Sequence, residues 1–343
     1  MFTEIGRTAA IFGCAGLTLG AEERDFFRAT DPAGFILFKR NCDNPIQVRA
    51  LVTALRAAID RPTAPVLIDQ EGGRVQRLRP PHWRAAPPAG RFAELYRTDP
   101  AAGLRAAWIN ARLIAAELTL LGIDVDCAPV LDNPVPGAHD VIGDRALGHD
   151  VATIAALGRA VMDGLLAGGV LPVIKHLPGH GRAGVDSHQQ CPIVGASDAE
   201  LRGHDLPPFR DLADAPFAMT AHVVYTAWDA ERVATWSPDI IANVVRGDIG
   251  FNGCLLSDDL SMQALDGGLG ERGRRAMAAG CDLALHCNGD LAEMRDVAAA
   301  VGTISEAAAT RLGAALARRS APAPVDPPAL LAELNGLLQG LNL

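Results

Sequence analysis

Three histidines, one lysine and one aspartate fall within the fourteen residues Lys175-His-Leu-Pro-Gly-His-Gly-Arg-Ala-Gly-Val-Asp-Ser-His188, directly after an apolar run. A packed core has no use for that mixture. Asp186 precedes His188 by two residues, close enough in a turn for its carboxylate to accept the imidazole N–H, which fixes the tautomer and raises the basicity of the ring. Gly179, Gly181 and Gly184 point to a loop able to carry a reactive group on a moving arm. A polar surface loop with incidental histidines is the plainer account. A metal site is another, since His176, His180, Asp186 and His188 are legitimate ligands, although they lack the H-E-x-x-H spacing of a helical zinc protease.

A second group is Leu255-Leu-Ser-Asp-Asp-Leu-Ser-Met262, an apolar strand ending in adjacent carboxylates. Two such acids can cap the following helix. Alternatively, Asp258 could attack an anomeric carbon and form a covalent glycosyl-enzyme, dividing one hard displacement into two easier ones. The third group is Asp69-Gln-Glu-Gly-Gly-Arg-Val-Gln-Arg77, in which an ionised Asp69 could accept hydrogen bonds from two sugar hydroxyls, or merely pair with an arginine of its own loop. Arg145 is a further cation that could reach the same place. Of the 31 basic residues only Lys39 and Lys175 are lysines, so Lys175 stands out against a background of arginine.

Something must hold these groups together. Short runs of Val, Ile, Leu and Phe recur at Ala9 to Phe12, Gly34 to Phe38, Val66 to Asp69, Asp124 to Ala128, Leu171 to His176, Phe217 to Ala221, Gly253 to Ser257 and Asp282 to His286, with helical patterns between them. Asn44-Pro45 and Ser237-Pro238 are helix starts, and the first opens a helix running to Ile59. Eight βα units in about 300 residues describe a single-domain α/β fold of the (β/α)₈ TIM-type barrel class. That fold places reactive residues at the carboxyl ends of its strands, where Asp69, Lys175, His176, His222, Asp258 and His286 fall. The barrel is assigned to residues 1–318. Residues 319–343 read as a Pro-rich linker and a short helix, Ala329 to Leu341, docked on the barrel or offered to a partner.

The formal net charge of -9, without a run of one sign, argues against nucleic acid. Seven cysteines without a C-x-x-C pair suggest reduced thiols in a cytoplasmic compartment. No apolar run approaches the roughly 20 residues that a membrane helix needs. The apolar stretch from Ala9 to Gly20 imitates a short signal peptide, but Glu4 precedes it and it serves better as the first strand.

At KHLPGHG…DSH and SDDLSM together, the sequence resembles glycoside hydrolase family 3, in particular its single-domain cytoplasmic β-N-acetylglucosaminidases of peptidoglycan recycling. Further matches are the segment ending at Glu23, GFILFKRN, IDQEGGRVQRLR, DVDCAPVLD and the Gly-Asp-Arg145 segment. The resemblance implies a barrel and a retaining double displacement with neither cofactor nor metal. It assigns Asp258 as nucleophile, His188 with Asp186 as the acid/base dyad, and Asp69, Arg77, Arg145, Lys175 and His176 as residues that hold the N-acetylglucosamine ring. The implied partner is a small carbohydrate, GlcNAc-1,6-anhydroMurNAc and its peptides, and the enzyme is expected to be a monomer. Gln70, Leu177 and Asp144 depart from the family's usual His, Phe and Glu, which bears on affinity rather than on the reaction. A family 3 enzyme of other β-glycoside preference, a phosphorylase, and a carbohydrate-binding barrel without chemistry are the alternatives.

Overall fold

A computed structural model describes residues 5–339. Eight parallel strands close into a barrel: β1 (Thr8–Phe12), β2 (Pro32–Leu37), β3 (Val66–Ile68), β4 (Val125–Asp126), β5 (Leu171–Leu177), β6 (Phe217–Thr220), β7 (Cys254–Asp259) and β8 (Leu283–His286). Each strand pairs with its neighbours in the chain, and β1 closes the ring on β8 with Ala10 opposite Ala284 and Phe12 opposite His286. Every residue of β1, β2 and β5 is buried. A parallel strand covered by helices on one face and by the barrel interior on the other must be apolar on both, so these segments read as continuous aliphatic runs. The stretch that imitates a signal peptide therefore supplies Ala9 to Phe12 of the first barrel strand.

Helices between the strands form the outer layer. Pro45–Ala58 starts where Asn44 accepts from the Gln47 amide with Pro45 in the first turn. Ser237 Oγ likewise accepts from the Ile240 amide, but the helix it opens continues in π-helical turns over Ile240–Asp248. The 22-residue helix Pro100–Leu121 packs against Val151–Ala167.

Residues 319–339 lie along this pair of helices. Ala323 donates its amide to Ala167 O at 2.9 Å, and Arg112 donates to Ala323 O. The last described helix, Pro327–Gln339, begins two residues earlier than its sequence pattern suggested, and positions 340 and 341 lie outside the described residues. It buries Leu334, and its Glu333 receives both Arg105 Nε and Nη2, at 2.7 and 2.8 Å. No helix among the described residues is long and apolar enough to cross a membrane.

Candidate active site

The carboxyl ends of the strands surround a cavity of about 220 Å³ whose lining includes Asp69, Glu71, Arg77, Arg145, Lys175, His176, His180, His188, Asp258 and Asp259. Of the catalytic and sugar-holding residues that the resemblance assigns, all except Asp186 line it, and Asp186 touches it through His188; His222 and His286, also at strand ends, are not in the lining.

One wall is a chain of alternating charges. Asp69, just past β3, accepts from Arg77 Nη2 at 2.7 Å and from Lys175 Nζ at 3.0 Å. Lys175, itself in β5, also meets Glu71 Oε1 at 2.7 Å, and Glu71 accepts Arg145 Nε and Nη2, each at 2.8 Å. Burial works to raise the carboxyl of Asp69, but Lys175 and Arg77 outweigh it and hold the group well below the usual range. For Glu71 burial is likewise overcome, by Arg145 and Lys175, bringing the carboxyl down to about 2. Burial alone would lower Lys175, yet the two carboxylates keep its ammonium pKa above the ordinary value. All five groups are therefore charged at neutral pH, and they present N–H donors and carboxylate oxygens at a spacing suited to neighbouring hydroxyls. The Asp69–Arg77 pair is thus both a loop-internal ion pair and part of the cavity wall.

The loop bearing Arg77 is held from below. Gln70 is fully buried; its Oε1 accepts from the Arg77 and Leu78 amides at 2.9 and 3.0 Å, and its Nε2 donates to Leu78 O at 3.0 Å. The Arg77 guanidinium lies 4.8 Å from the Phe38 ring centroid.

His176, near the end of β5, is oriented by Asp132, which meets its Nδ1 at 2.7 Å and also accepts from the His180 amide at 2.7 Å. Burial would raise the Asp132 carboxyl, but His176 and these hydrogen bonds hold it at about 2. An ionised carboxylate can only accept, so Nδ1 of His176 carries the hydrogen and Nε2 is left for the cavity.

The two acids at the end of β7 have different occupations. Asp259 Oδ1 accepts from the Ser261 and Cys287 amides, each at 3.1 Å, and its Oδ2 accepts from Ser261 Oγ. Asp258 accepts from the Asp259 amide at 2.8 Å. Burial opposes its ionisation, but His176, His222, the Asp259 N–H and His188 together hold its carboxyl below the ordinary value. Hydrogen bonds therefore commit Asp259 to its turn, while Asp258 is an ionised carboxylate facing the cavity.

At the rim, Asp186 Oδ1 accepts from the His188 amide at 2.9 Å and meets the ring Nδ1 at 2.8 Å. The His188 side chain is 64% exposed. Burial raises the Asp186 carboxyl, but the hydrogen bonds from His188 prevail and lower it. The glycines before this dyad do more than loosen the chain. Gly179 has φ +134°, and a Cβ on Gly181 would sit 2.0 Å from Asn133 O, so this half of the loop is packed, and only Gly184 faces open space.

Sequence reasoning passed over Glu71 and Asp132. Glu71 had a signal: it lies two residues from Asp69 in extended chain, where alternate side chains share a face. Asp132 closes the DVDCAPVLD segment, but 44 residues separate it from His176, so its partner could not be read from spacing. Among the described residues no three His, Cys, Asp or Glu side chains converge as a metal site would require.

The sequence pattern of the Glycosyl hydrolase family 3 N terminal domain matches residues 15–318. The chain belongs to glycoside hydrolase family 3. Family 3 relatives include a beta-hexosaminidase of Alkalilimnicola ehrlichii, 42% identical over 282 residues that span 81% of this chain and 80% of that one. Another from Stenotrophomonas maltophilia is 39% identical over 287 residues, 82% of this chain and 84% of its own. NagZ from Neisseria gonorrhoeae, in its complex with N-trifluoroacetyl-D-glucosamine, superposes with a TM-score of 0.87 at 32% identity, covering 98% of this chain and 99% of its own. The (β/α)₈ barrel is thus shared with a family 3 enzyme, and this protein is a glycoside hydrolase.

Proposed function

We propose that this glycoside hydrolase is a retaining exo-β-N-acetylglucosaminidase that removes the non-reducing terminal N-acetylglucosamine from peptidoglycan fragments. The observation that carries the reading is one cavity lined by an ionised carboxylate, Asp258, with no side-chain hydrogen-bond partner among the described residues, and by a solvent-facing imidazole held by a carboxylate, His188 on Asp186. Asp258 attacks the anomeric carbon while protonated His188 gives its proton to the leaving oxygen. In the second half-reaction His188 takes a proton from water, which attacks from the face the leaving group vacated and displaces Asp258, so two inversions retain the configuration. Asp186 stabilises the imidazolium and orients the ring. Asp69, Arg77, Lys175, His176 and Arg145 hold the sugar hydroxyls. No metal or cofactor enters this scheme.

The acetamido sugar is supported by the similarity to beta-hexosaminidases and by the N-acylglucosamine held by the Neisseria enzyme. GlcNAc-1,6-anhydroMurNAc and its peptides, action as a monomer, and work in the cytoplasm belong to the same proposal. Seven free thiols suit a reducing compartment. Hydrolysis of p-nitrophenyl N-acetyl-β-glucosaminide, followed by NMR of the first-formed anomer and compared with the β-glucoside, tests the reading. Preference for the acetamido sugar with β product supports it; first-formed α product overturns the retaining mechanism, and preference for the glucoside overturns the substrate. Running the assay with phosphate separates hydrolysis from phosphorolysis.

A further inference from the structure

Ser187 stands between the two members of the dyad and behaves unlike either. His188 is largely exposed, whereas Ser187 is 3% exposed. Its hydroxyl lies 3.0 Å from His180 Nε2, and its carbonyl accepts from the Ala264 amide at 3.1 Å. Both partners are tied to other parts of the site. His180 donates its amide to Asp132, the carboxylate that orients His176, and its ring packs edge-on against His176 with centroids 5.7 Å apart. Ala264 belongs to the turn that follows Asp258 at the end of β7. Within residues 184–190 Ser187 is the one buried residue, touching His180 on one side and the turn after Asp258 on the other.

We propose that Ser187 is a positioning residue whose hydrogen bonds to His180 and Ala264 set the reach of His188 toward the glycosidic oxygen that leaves as Asp258 attacks. The inference rests on the acid/base reading of His188. Burial leaves His180 neutral, its pKa lowered to about 4, and its Nδ1 has no hydrogen-bond partner among the described residues. The Ser187 hydroxyl is thus the partner that fixes the imidazole, and it can donate to Nε2 or accept from it. Without that bond the backbone link to Ala264 remains, but the segment can pivot about it. A displacement of about 1 Å at a catalytic group costs on the order of a hundredfold in rate.

Leaving-group dependence tests this, because it reads proton donation rather than stability. When a phenyl glycoside reacts, the anomeric C–O bond breaks, the Asp258 ester forms, and the proton of His188 passes to the phenol oxygen. A 2,4-dinitrophenolate departs without that proton. Ser187→Ala is expected to lose about tenfold to a hundredfold in kcat/KM on phenyl N-acetyl-β-glucosaminide and less than about twofold on the dinitrophenyl substrate. Ser187→Thr, which keeps the hydroxyl, should restore most of the loss, and His180→Phe, which removes the other end of the bond, should reproduce the Ala pattern. Sodium azide should raise kcat of Ser187→Ala by attacking the glycosyl-enzyme, releasing Asp258 and giving the β-glycosyl azide without a general base. Equal loss on both substrates, or no loss on either, overturns the proposal. His188→Ala serves as reference: if it shows no leaving-group dependence, the acid/base reading falls first; if it does and Ser187→Ala does not, only the role of Ser187 falls.

Discussion

Glu71 grips Arg145 with both carboxylate oxygens, each at 2.8 Å, and gives one of them also to Lys175 at 2.7 Å. It is the joint through which the two cations are held at a common spacing. Glu71→Gln leaves Lys175 and Arg145 buried with one carboxylate fewer between them. Removing one partner of a buried pair costs about 3–5 kcal/mol. The variant is expected to melt at lower temperature and to show a raised KM for the p-nitrophenyl substrate; unchanged melting and KM would show that Asp69 alone suffices to organise the cations.

The adjacent acids Asp258 and Asp259 should separate cleanly on mutation. Asp258→Asn keeps its acceptor for the Asp259 amide, so we expect an unaltered melting temperature with turnover reduced by several orders of magnitude. Asp259→Asn loses acceptor strength toward three donors, and we expect a lower melting temperature. Parallel calorimetry and turnover assays on both variants decide this. A nearly active Asp258→Asn enzyme would remove Asp258 as nucleophile.

Asp126 ends β4 in full burial, accepting from the Gln70 amide at 2.9 Å while its Oδ2 has no partner among the described residues. Burial raises its pKa from 3.8 to about 7. Between those values the folded chain keeps a proton that the unfolded chain has released, so the contribution of this group to stability is full below pH 4 and is lost as the pH climbs toward 7. Asparagine keeps the acceptor and cannot ionise. Melting curves at pH 5 and pH 8 should therefore find Asp126→Asn gaining on the wild type as the pH rises, and a constant difference would argue against a protonated Asp126.

Turnover should survive prolonged treatment with a strong chelator, because Asp258 supplies the nucleophile and His188 the proton in the proposed scheme. Loss of activity that returns with added zinc would point instead to a metal-dependent hydrolase.

Much of this architecture could be read in one dimension. The eight strands were legible because a parallel barrel strand is buried on both faces and so must be an uninterrupted apolar run, as Leu171–Leu177 is up to Lys175. Asp186 and His188 were legible as a pair because two residues of turn suffice to join them. The reactive groups stood out because charge at the end of an apolar strand has to be explained.

What tertiary structure decided is which polar groups are spoken for. Asp258 and Asp259 are the same residue type in adjacent positions, and only the approach of Ser261 and Cys287 commits the second and leaves the first to the cavity. Asp132 meets His176 across 44 residues, and Ser187 meets Ala264 through folds of the chain that no local spacing encodes. Local pattern reports burial, because burial acts on each residue in turn. Hydrogen-bond partnership between distant groups depends on where closure of the barrel brings them, and so it appears only in three dimensions.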